Sequence, residues 1–166
     1  MLRRALKVAL AGTLALGALA CRPDRPSQLP SFERPRLELR EAPALGMHVV
    51  PTTRTRVWEM TAAAQEWPSY EVKDHGSVFV IALDTTDTVR YISTSDPSFA
   101  TPEGIRVGST VEAVRRAGAA APTPELGWAS HTMLPSGWHA AFLEGAGIDS
   151  RPLSPFSQVK WLFKRR

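Results

Sequence analysis

The chain reads as an α+β protein. The expected architecture is an antiparallel sheet built from two tandem units, each a helix followed by a three-stranded meander, with both helices on one face. Three observations predict it. The run Gly104-Ile105-Arg106-Val107-Gly108-Ser109-Thr110-Val111-Glu112-Ala113-Val114-Arg115-Arg116-Ala117-Gly118 has the chemistry of a short strand, a tight turn and a capped helix. A fainter copy stands upstream at Gly46-Met47-His48-Val49-Val50-Pro51-Thr52-Thr53. Each copy is followed by alternating or apolar runs separated by turn residues, the pattern of a β-meander.

At 166 residues the chain has room for one compact domain and not for two ordinary ones. Its 20 basic residues outnumber 16 acidic ones. Three of the basic ones, Arg3, Arg4 and Lys7, lie in the first 20 residues, which hold no acid. The remainder is nearly neutral and gives no electrostatic reason to expect nucleic acid as a partner.

Residues 1–20 read as a signal peptide. A charged start precedes an uncharged Ala- and Leu-rich run from Val8 to Ala20. As a helix this run spans roughly 20 Å, too short for a ~30 Å bilayer core. It ends in Gly17-Ala18-Leu19-Ala20-Cys21, and Cys21 is the only cysteine. This resembles the lipobox of bacterial lipoproteins, with Ala18 where Leu is commoner. The resemblance implies cleavage before Cys21, lipid on its sulfur and attachment to the cell envelope. Arg22 stands where an Asp marks retention in the inner membrane of enterobacteria, which favours the periplasmic face of the outer membrane. A single cysteine makes no disulfide within the chain, so the fold must stand on its core.

Residues 21–43 carry Pro23, Pro26, Pro30, Pro35 and Pro43 among Arg, Glu and Ser. Prolines remove backbone donors and hold a chain extended, so this stretch reads as a tether, with an edge strand beginning at Leu37 and Leu39. The domain proper is expected over 44–166, with repeat units at about 44–94 and 102–164.

In the first unit, Thr52, Thr53 or Thr55 caps an expected helix that runs through Ala62-Ala63-Ala64 to about Gln65 and stops at Pro68. The Thr-Arg-Thr-Arg-Val run pulls toward strand instead. Tyr70 to Lys73 alternates, Asp74-His75-Gly76 turns, and Ser77 to Leu83 is apolar on both sides, as a central strand should be. Thr88 to Ser93 returns after Asp84-Thr85-Thr86-Asp87. In the second unit Ser109 and Glu112 form a capping box, Val111 and Val114 share one face, and Gly118 supplies a left-handed stop. Leu126–Leu134 and Trp138–Leu143 flank the turn Pro135-Ser136-Gly137, and Val159–Phe163 is the last strand. The halves align at Gly46/Gly104, Gly76/Gly137 and Val89/Val159, spacings of 58, 61 and 70.

The Gly-Ile-x-Val-Gly-Ser-Thr-x-x-x-Val run and its meander resemble small envelope lipoproteins of the BamE/SmpA type. The tandem form looks like β-lactamase inhibitory protein and its relatives. The resemblance implies an α+β fold and a role in binding other proteins, not catalysis. Inhibitory relatives carry disulfides that this chain cannot form, so inhibitor function is not carried over.

No catalytic or metal motif stands out, and no cofactor is expected. His48, His75, His131 and His139 lack zinc-ligand spacing. With a two-residue turn at Pro135-Ser136, Thr132 faces His139, so His131 and His139 point to opposite faces; a three-residue loop brings them together. Ser136 lacks a nucleophile elbow. Asp84 and Asp87 read as turn caps. The candidate protein-binding residues are Trp128, Trp138 and Trp161, one from each strand of the second unit. In the two-residue register Trp138 shares a face with Met133, and Trp128 lies on the other with Leu143. The function expected is therefore a lipid-anchored envelope protein that binds another protein and is not an enzyme. The alternative is an envelope hydrolase or ligand-binding enzyme using His131 and His139.

Overall fold

The computed structural model describes residues 33–53, 57–143 and 153–166. The expected signal peptide and the lipidation at Cys21 lie outside them, as do residues 54–56 and 144–152. The described residues form nine strands and one helix: β1 (Arg36–Leu37), β2 (Val57–Ala62), β3 (Gln65–Asp74), β4 (Ser77–Leu83), β5 (Val89–Thr94), α1 (Val111–Arg116), β6 (Thr123–Glu125), β7 (Ala129–Met133), β8 (His139–Phe142) and β9 (Trp161–Arg165). All nine strands belong to one sheet in the order β1-β3-β4-β5-β9-β8-β7-β6, with β2 also paired to β3.

This corrects the α+β expectation. The protein is predominantly β, with one six-residue helix among the described residues and no helix in the first unit. Where a helix was expected over 52–65, the described part is β2, paired antiparallel with β3 from Val57↔Ser69 to Ala62↔Gln65. The β-branched and aromatic residues of Val57-Trp58 prefer a pleated strand, and Ala63-Ala64 serve as a tight turn, with Ala64 at φ 59°. Three alanines are too few to nucleate a helix alone.

The meanders themselves are present. β3-β4-β5 and β7-β8-β9 are antiparallel, and their last strands join at the seam Ser93↔Phe163 and Thr94↔Leu162. The hairpin at Asp74–Ser77 closes through His75 (φ 47°) and Gly76 (φ 85°), the two positive-φ positions of a type I′ turn. One bonding pattern occurs twice. Gly46 N–H donates to Val89 O at 2.8 Å and Val49 N–H to Asp87 O at 2.8 Å. Likewise Gly108 N–H donates to Val159 O at 2.9 Å and Val111 N–H to Ser157 O at 2.9 Å. Gly46 thus corresponds to Gly108, not to Gly104.

One sheet face carries the main core. Val72, Phe79, Ile81, Leu83, Ile92, Leu134, Ala140, Phe142 and Leu162 pack there with Val111 and Val114 of α1. The helix is too short to persist alone; burying two valines, at about 1.5–3 kcal/mol each, holds it on the sheet. Its N-cap is Thr110, whose hydroxyl accepts from Ala113 N–H at 3.2 Å, one residue later than expected. Ser109 is engaged instead with Arg106 N–H at 3.1 Å, and a bridge to Gln158 keeps Thr110 extended.

The expected tether gives way to the domain before residue 43. Leu37 is buried, and Arg36–Leu37 pairs parallel with Glu71–Val72 of β3.

Candidate functional site

Among the described residues, no helix lies on the other sheet face. It is lined by a second cluster in which Ala82, Ala129 and Ala141 leave room for the rings of Tyr91, Phe163, Trp67, Trp128 and Trp161. The sheet curls around this cluster. The tip of the β2–β3 hairpin arches over it and reaches β6 and β7, where Ala63 N–H donates to Glu125 Oε1 at 2.8 Å and Trp128 Nε1–H to Met60 O at 3.0 Å. Arg165, from β9, donates to Thr61 O at 3.4 Å and to Glu125 Oε2 at 2.7 Å. These bonds clasp the two ends of the sheet.

Two histidines complete the clasp. The turn Pro135-Ser136-Gly137 is a three-residue loop, with Leu134 N–H donating to Trp138 O. Met133 therefore faces His139, and His131 faces Ala141, so both histidines lie on the helix-free face. Of the two loop lengths the sequence leaves open, the structure takes the three-residue one, in which Gly137 at a positive φ of 79° absorbs the extra residue. His131 Nε2 lies 3.1 Å from Glu125 Oε2, and His131 Nδ1 lies 3.3 Å from His139 Nδ1. The carboxylate accepts, so Nε2 of His131 carries the proton and its Nδ1 accepts from His139. His139 stacks on Phe163 with centroids 4.7 Å apart, and Arg165 lies over the Trp128 ring at 5.0 Å.

The charges follow from these contacts. The Arg165 hydrogen bond leads in holding the Glu125 carboxyl down to about 2, against the opposing effect of burial. Burial pushes His131 below its ordinary value. It also brings His139 to about 4, helped by the charges of His131 and Arg165. Both histidines are neutral near pH 7 and favour the folded clasp in that state.

The three candidate tryptophans separate. Trp138 is only 9% exposed, on the helix side, against Phe99 at 4.9 Å and Phe79 at 6.4 Å. It does not share a face with Met133, which the corrected register puts opposite His139. Trp128 and Trp161 stand together on the helix-free face, half-buried, with centroids 5.8 Å apart. Met133, on that face, is 61% exposed. Between the arching hairpin and the sheet lies a cavity of about 350 Å³, lined by Arg34, Glu59, Met60, Val80, Tyr91, Trp128, Lys160 and Trp161 among others.

The enzyme alternative finds little here. Glu125 is committed to Arg165 and to Ala63 N–H, and neither histidine lines this cavity. Among the described residues no three His, Cys, Asp or Glu side chains form a metal-holding group. Ser136 donates to Glu103 at 2.9 Å. Asp84 closes its own turn, accepting from Thr86 and Thr88 N–H and from Arg90. The geometry around His131 and His139 is that of a structural clasp.

Sequence reasoning assigned none of Glu125, Arg165, Arg34, Met60 and Lys160 to this face. Arg165 was within reach, since it continues the alternation of Trp161 and Phe163 in β9. Arg34 and Met60 were not, because the curl that brings them over the sheet has no local signal.

No family model, curated protein or solved structure matches this chain. No helix among the described residues is long and apolar enough to cross a membrane.

Proposed function

We propose that this chain is a lipid-anchored cell-envelope protein, held through Cys21 at the periplasmic face of the outer membrane, that acts as a protein-binding or assembly module. Its role would be like that of BamE/SmpA-type lipoproteins. The anchor rests on the charged start, the apolar run and the Leu19-Ala20-Cys21 sequence. The binding role rests on one observation: the helix-free face presents half-buried Trp128 and Trp161, fixed by their neighbours, with Met133 exposed farther along the same face. Aromatic residues held rigidly at the base of a concavity are the usual anchors of protein interfaces, because they bury much area at little entropic cost.

Two measurements test it. A photo-crosslinker at Met133 in intact cells should join the chain to one defined envelope protein, and the adduct should be lost in Trp161→Ala. A Cys21→Ala variant should leave the lipid fraction. Recovery of Cys21→Ala with the membrane would end the anchor. Absence of a defined adduct, or an adduct indifferent to Trp161, would end the binding role.

A further inference from the structure

We infer that the cavity beneath the β2–β3 hairpin receives one aromatic or other apolar side chain of a protein partner, with an adjacent carboxylate of that partner set against Lys160. This rests on the protein-binding reading above and narrows it to a chemistry.

Consider first what the cavity offers. At about 350 Å³ it stands at the small end of ligand-binding cavities, which run from about 300 to 1,000 Å³. It has room for one inserted side chain. Several of its polar groups are already engaged. Arg34 pairs with Glu59 and donates to Ser69 Oγ at 3.2 Å. Trp128 Nε1–H is held by Met60 O at 3.0 Å. What remains for an occupant is mainly the apolar surface of Met60, Val80 and the two indoles, with the hydroxyls of Ser93 and Ser95 beside it. A polyhydroxylated ring would lose its bonds to water and find few replacements, whereas an apolar side chain loses none. The indoles are also preorganised: Trp128 is wedged between the Arg165 guanidinium and Phe163, whose centroid is 4.9 Å away.

Lys160 supplies the sign. It is exposed at the rim, and its ammonium has no ion pair or hydrogen bond among the described residues. Arg34 is offset by Glu59 and Arg165 by Glu125, so the uncompensated charge beside the cavity is positive. An acidic segment is steered toward it and a basic one away.

The test uses the full chain and three small probes: 3-phenylpropionate, phenethylammonium and glucuronate. Indole N–H resonances of Trp128 and Trp161 are followed by NMR. 3-Phenylpropionate should shift both and saturate, binding roughly two- to fivefold more tightly than phenethylammonium, the range one exposed ion pair allows. Lys160→Glu changes an exposed side chain without touching the core and should reverse that order. The inference fails if 3-phenylpropionate shifts neither indole. It fails equally if the two phenyl probes bind alike in both proteins, or if glucuronate alone binds. Such a failure leaves the Met133 crosslinking result standing, so the cavity assignment and the wider binding role are separable.

Discussion

Among single residues, Glu125 carries more of the architecture than its place on a three-residue edge strand suggests. Its carboxylate joins a guanidinium from β9, an imidazole from β7 and a backbone N–H from the hairpin tip. Its side chain is 23% exposed, between a screened surface pair and a buried one. Glu125→Ala is expected to lower unfolding free energy by about 1–2 kcal/mol, read from denaturant melts, because a charge-assisted bond is worth about 1.5–3 kcal/mol before solvent screening. The pH dependence has a definite sign. The fold lowers the carboxyl from 4.5 to about 2, so its contribution is complete above pH 4.5 and is lost as pH falls toward 2. In Glu125→Gln that acid limb should flatten. His139 acts in a higher window. Its pKa falls from 6.5 to about 4 on folding, so the unfolded chain takes up a proton first. Stability is complete above pH 6.5 and declines toward pH 4. His139→Gln should remove most of that decline, and the His139 imidazole resonances should titrate near pH 4 in the folded protein.

Elements show where local sequence was sufficient and where it misled. β4 was legible because its residues are apolar on both sides, and it is covered on both. The 74–77 hairpin was legible because His75-Gly76 can take two positive φ values. The stretch before Gln65 was ambiguous: helix-favouring alanines followed strand-favouring threonine and valine, and pairing with β3 decided the outcome. That outcome leaves Ala64 at φ 59°, where a Cβ crowds the backbone by about 1–2 kcal/mol. Ala64→Gly relieves this while adding unfolded-state entropy, and the balance should stabilise the protein by about 0.5–1 kcal/mol in thermal or denaturant melts. A loss of stability there would mean the turn does not need the left-handed conformation. The 135–137 loop shows how little separates two site geometries. One added loop residue moves His139 from opposite Thr132 to opposite Met133, and so onto the face that holds His131.

At the scale of the whole molecule, the two meanders are visible in the sequence, but the strands through which they join are not. Apolar alternation marks each strand; nothing local says that β5 will take β9 as its neighbour, or that the hairpin tip will cross to Glu125. Those are long-range pairings, decided by which surfaces remain to be buried once the strands exist. The consequence is cooperativity. Leu162 lies at the seam, fully buried, opposite Thr94 of the first half and Ala140 of the second. It belongs to the same core as Ile81 and Ile92 from one half and Leu134 and Phe142 from the other. Leu162→Ala should therefore cost about 2–5 kcal/mol. Hydrogen exchange locates that loss: if the halves form one unit, amides of β4 and of β8 lose protection by the same factor. Protection lost in β8 while β4 is unchanged would show two independently stable blocks that merely abut, and the clasp at Glu125 would then be the principal link between them.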